Sequence, residues 1–86
     1  MDNQAQSPDQ PVLANIQRLV EEEHRLYERG ETTALGDADR KKLATVQVEL
    51  DRCWDLLRRR RALRGAGLDP DQAEVRPAEV VEKYEQ

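Results

Sequence analysis

An 86-residue chain with a formal net charge of −4, 37% hydrophobic and 37% charged residues has room for one small domain with a lean core. Its acidity excludes general binding to nucleic acid or acidic membrane as the main role, because a basic surface drives both. The lone Cys53 excludes an internal disulfide and fits a reducing compartment, and no run approaches the ~20 apolar residues of a membrane helix.

The opening MDNQAQSPDQ has neither the basic start nor the apolar run of a signal peptide, which predicts a cytoplasmic protein. Residues 1–10 read as a disordered lead with nothing to bury. Pro11 suits the first turn of a helix, and Val12, Leu13, Ile16, Leu19, Val20, Leu26 and Tyr27 recur at three and four, predicting an amphipathic helix over about 11–29. Gly30 is its expected stop. Thr32, Thr33 and Gly36 form a short connection. A second helix is predicted over about 37–64, with Asp37 and Asp39 at the end where the helix dipole favours acids. Its stripe is Leu43, Val46, Leu50, Cys53, Trp54 and Leu57, with Leu56 and Leu63 on an offset edge. Gly65 and Gly67 then break it.

A short connection between two amphipathic helices predicts an all-α fold: an antiparallel, coiled-coil-like hairpin over 11–64. Residues 65–86 read as a C-terminal arm. Short helical turns are expected after Asp69 and Arg76, with Val80, Val81 and Tyr84 docking back through a small apolar face. A hairpin alone leaves each stripe half covered, so a homodimer forming a four-helix bundle is the simplest completion. Its expected seam is Leu50, Cys53, Trp54 and Leu57.

From Arg52 to Arg64 six arginines face one acid, Asp55, although the whole chain is acidic. Cations at a helix C-terminus complement the dipole, which is one role for Arg58, Arg59, Arg60, Arg61 and Arg64. On a helical wheel Arg61 and Arg64 continue the apolar stripe, at an end that the first helix is too short to cover. Arg58, Arg60, Arg61 and Arg64 are therefore the candidate contacts for an acidic partner, an anion, or the acids Glu21, Glu22 and Glu23 of another copy.

Glu21 and His24 stand at the spacing that di-iron carboxylate proteins use on bundle helices, and Glu49 would add a third ligand. Glu21, however, lies about 150° from the centre of the first helix's stripe, which ranks a di-metal site last. Glu23 is a charged residue at a seam position and reads as a register-setting device. Cys53 has no nearby His and reads as a buried, inert thiol.

The run VELDRCWDLLRRRRALR from Val48 to Arg64, with LVEEEHRLYERG before it and AEVRPAEVVEKYEQ after it, resembles a family of small actinobacterial proteins catalogued as a domain of unknown function. The resemblance covers nearly the whole chain beyond Pro11. It implies a short, cytosolic helical protein and no particular activity; Gly36 stands where such proteins are expected to carry a Ser-like cap. The expectation is thus a non-enzymatic interaction protein without cofactor, possessing a regulatory role and binding an unknown protein partner through its basic helix end and C-terminal arm. The alternative is a phosphate or nucleotide sensor with arginines clustered at a dimer interface.

Overall fold

Pro11 sits in the first turn of a 23-residue helix, α1 (Gln10–Thr32), where its missing donor leaves no bond unmade. A four-residue connection leads into α2 (Asp37–Gly65), followed by a 3₁₀ turn (Pro70–Gln72) and α3 (Ala78–Glu85). These come from a computed structural model that describes residues 9–85, with side chains through Glu82. Among the described residues the chain is all-α. Most of the expected lead, residues 1–8, lies outside that description, as does the Tyr84 side chain.

Gly30 does not stop α1. The helix continues to Thr32, and the Thr33 amide donates to the Arg29 carbonyl at 3.1 Å. The glycine serves close approach instead: a Cβ there would meet Leu35 Cγ at 3.3 Å, where the returning loop folds over it. The left-handed glycine is Gly67, with φ +77°. Around it Leu68 donates to the Leu63 carbonyl at 2.8 Å and Gly67 to the Arg64 carbonyl at 3.0 Å. These crossed bonds form a Schellman cap, which satisfies carbonyls that the end of α2 would otherwise leave open.

α2 is the central element. It packs against α1, the 3₁₀ turn and α3, whereas α1 and α3 do not meet among the described residues. Ile16, Leu19, Val46, Leu50, Cys53 and Leu57 form the core between α1 and α2, with Val12 against it. Val81 of α3, only 1% exposed like Leu57, makes a second apolar contact where α3 meets α2. The arm therefore contributes to the buried interior, more than its absence from the hairpin's periodicity suggested.

Trp54 is 43% exposed, because its position is turned about 65° from the centre of the stripe that packs on α1, at ~100° per residue. Leu50, Cys53 and Leu57 are buried within one chain, so three of the four expected seam residues are covered without a second copy.

The molecule measures 49 × 37 × 14 Å with a radius of gyration of 15.6 Å, against about 12 Å for a compact chain of this length. Its thin dimension is close to one helix with side chains, about 10–12 Å. The helices form a single layer, whereas domains are ordinarily built from two or three packed layers.

Candidate functional site

Asp9 stands at the N-cap of α1, yet its side chain makes no capping bond. It reaches across the hairpin's open end. Arg60 Nε donates to Asp9 Oδ1 at 2.8 Å and an Arg64 guanidinium nitrogen donates to the same oxygen at 2.6 Å. Arg60 also donates to Asp71 Oδ1 at 2.9 Å and to the Pro70 carbonyl at 3.3 Å. One guanidinium thus joins the start of α1 to the 3₁₀ turn. That explains how Arg60, only 7% exposed, tolerates burial: a charge leaves water at acceptable cost only when paired and hydrogen-bonded.

A second cluster lies one and a half turns earlier on α2. Asp55, 5% exposed, accepts from Arg59 Nε at 3.1 Å and Arg76 Nε at 3.0 Å, and a second Arg76 nitrogen reaches its other oxygen. Arg52 Nε donates to the Arg76 carbonyl at 3.0 Å, and Arg59 donates to the Glu74 carbonyl. The segment between the 3₁₀ turn and α3 is therefore laced to α2 by arginines at both ends. Leu63 and Ala62, with Arg59, face Gln72 and Ala73 across a shallow cleft.

The electrostatics follow from these contacts. The Arg60 hydrogen bond, opposed by burial and reinforced by Arg64, holds the Asp9 carboxyl below its usual range. Arg76 does the same for Asp55, again against burial and with help from Arg59. Asp9 and then Asp71 push the Arg60 guanidinium further up. Burial raises the Cys53 thiol, with the Asn15 amide donating to its sulfur at 3.4 Å; a protonated, covered thiol is a poor nucleophile.

The expected contact residues are thus divided. Arg60 and Arg64 are engaged by the chain's own acids, while Arg61 and Arg58 are exposed. The inward-turned residue three positions after Leu57 is Arg60, where the wheel favoured Arg61. The expectation that nothing in the first helix reaches this end is corrected by Asp9, the residue immediately before α1. Asp9, expected in the lead with nothing to bury, is buried. The sequence pattern assigns Asp9, Asp55, Asp71 and Arg76 no part in this site. Asp55 carried a signal: it is the one acid inside the arginine run, four residues before Arg59.

The di-metal reading finds no donor cluster. Glu21 and His24 are exposed, His24 lies 3.4 Å from Glu28, and Glu23 is half-buried. Among the described residues no three His, Cys, Asp or Glu groups converge.

One face of the hairpin is open, with Trp54 of α2 beside exposed apolar residues of α1. Gln47, Trp54 and Arg61 follow one another at seven-residue intervals, and Gln47 Nε2 donates to the Tyr27 hydroxyl at 2.9 Å. That bond places Tyr27 of α1 on the same side of the hairpin. Val20 and Leu13 continue from Tyr27 at the same interval, and Leu13, Val20, Tyr27 and Trp54 are 38% to 48% exposed. Arg52, Asp55, Arg59 and Leu63, which meet the arm, lie about 100–180° around α2 from Trp54. The described residues of the arm do not cover this face.

Fold and site together define a single-layer helical hairpin with a C-terminal arm held to its long helix by arginines. The chain belongs to the family described as "Protein of unknown function (DUF2630)", whose model matches residues 8–86. It is 46% identical over 77 residues to the uncharacterized proteins Rv0898c of Mycobacterium tuberculosis and Mb0922c of Mycobacterium bovis, with 88% of each chain covered. No solved structure matches the chain. Among the described residues no helix is long and apolar enough to cross a membrane.

Proposed function

We propose that this is a non-enzymatic, cytoplasmic interaction protein that binds a protein partner through the open flank formed by Leu13, Val20, Tyr27 and Trp54. The observation that carries this reading is their alignment on one side of the hairpin in a chain that is 37% charged. Exposed apolar residues scattered singly are ordinary, but a contiguous row across two helices is the pattern of a binding face. The contact surface moves away from the basic helix end, because Arg60 and Arg64 are turned toward Asp9 and Asp71. The same pairing removes the main support for a phosphate or nucleotide sensor. Acidity of the whole chain favours a protein over nucleic acid or membrane, and a regulatory role acting by occupancy suits a chain of this size.

A photoreactive residue placed at Val20 tests the reading in native extract, with the same residue at Ala73 beside the arm as control. Crosslinks to protein should form from Val20 and disappear when Trp54→Glu is added. Crosslinking from Ala73 with none from Val20 would place the contact on the arm and remove the open flank as the working face.

A further inference from the structure

Resting on the interaction reading above, we infer that the occupant of the open flank is a second copy of this chain, docked head to tail across a two-fold axis to make a four-helix bundle. Three independent features point there.

The first is the thickness. At 14 Å along its thin axis the molecule is one helix deep, and a copy laid on the open flank supplies the missing layer. The face is of suitable size. The 23 residues of α1 run for about 35 Å beside α2, and two helices about 10 Å apart over that length give on the order of 700 Å² per copy, close to the about 800 Å² per partner of a standard stable interface.

The second is the composition. Along α1 this flank carries Leu13, Gln17, Val20, His24 and Tyr27, and its formal charges, Glu28 and Glu31, stand toward the loop end. Charge is kept to the margins, as interface cores require. Stripe residues seven positions apart stand about 10 Å from one another along the helix, which leaves room for a side chain of the partner between them. A two-fold axis running across both helices near Val20 and Trp54 lays α1 on the partner's α1 and Trp54 on the partner's α2. The contact is isologous, since the same patch serves on both copies.

The third is the distribution of charge between the ends. At the loop end the flank runs from Tyr27 to Glu31; at the open end it runs from Trp54 to Arg61, and both charged residues are exposed. Docked head to head, Arg61 would meet Arg61. Docked head to tail, Glu31 of each copy comes to the same end as Arg61 of the other, which gives orientation through complementary charge.

Sedimentation of the full chain across a concentration series, read together with the emission of its single tryptophan, tests the inference. Trp54 emission should move to the blue as dimer forms. Val20→Asp should raise the dimer dissociation constant at least 100-fold while circular dichroism shows helix content retained. Arg61→Glu should weaken association about tenfold, and adding Glu31→Arg should restore it; the two residues occupy opposite ends of one hairpin, so the rescue is possible only between copies. A monomer at every concentration overturns the inference; crosslinks from Val20 to a different protein would then leave the interaction reading standing, and their absence would end both. A dimer that survives Val20→Asp overturns this face, and failure of the charge swap to rescue overturns the head-to-tail orientation.

Discussion

The two flanks of α2 close their surfaces by opposite means. On the arm side, Arg52, Arg59, Arg60 and Arg64 spend their donors on Asp9, Asp55, Asp71 and backbone carbonyls, with Val81 as the apolar anchor. On the other side, Trp54 and the α1 row present apolar surface with none of the described residues over it. Buried ion pairs roughly break even against their desolvation but penalise any geometry that leaves a charge unpaired. Apolar surface is indifferent to geometry and keeps its free energy for whatever covers it. Charge therefore fixes the chain's own segments in one arrangement, and the apolar flank is the side left to associate.

That contrast can be broken deliberately. The largest effect belongs to the core that both flanks share: Leu57→Ala should cost about 3–4 kcal/mol in urea denaturation, since the side chain is almost wholly covered. Asp55→Ala should follow at about 2–3 kcal/mol, because it removes the buried carboxylate that two guanidinium groups share. It should also release the arm, seen as faster hydrogen exchange and protease cleavage between Ala73 and Pro77 while α1 stays protected.

Acid attacks the charged flank selectively. Asp9 and Asp55 have folded pKa values below their unfolded ones, so the stability they contribute is complete above the unfolded value near 3.9 and is lost as pH falls through the folded values. Urea midpoints should drop from about pH 5 downward, and Asp55→Asn should flatten that dependence. Trp54→Ala should cost under about 1 kcal/mol at concentrations where the chain is monomeric, a direct contrast with Leu57. Smallest is Gly36→Ser. Gly36 is the N-cap of α2 in extended backbone with open space around it, so a Ser cap should add a few tenths of a kcal/mol, about the margin by which glycine caps less well.

Much of the fold was legible because helices advertise themselves by period and punctuation. Pro11, Gly36 and the Gly65-Ala66-Gly67 stop frame the two long helices, and their stripes meet as an antiparallel pair. Trp54 stands at the edge of the stripe, where its angle turns it from α1 toward the open face. The choice between Arg60 and Arg61 was not available to the wheel. Both lie near the seam, and Asp9 and Asp71, two acids outside the hairpin's periodicity, decide which one turns inward. The open flank was half visible: Leu13, Val20 and Tyr27 were counted into a single α1 stripe, whereas the helix carries an inner row and an outer one.

The reach of Asp9 to Arg60 and Arg64, across 51 and 55 residues of sequence, also orders events in time. The four-residue turn brings the nearer halves of α1 and α2 together first, and pairing then runs toward the open end, since short loops close at least entropic cost. The Asp9 tie closes last. A contact absent from the transition state leaves the folding rate unchanged and acts wholly on unfolding. Removing its carboxylate as Asp9→Asn should therefore steepen only the escape from the native state, giving a chain that folds at its normal speed and persists for a shorter time.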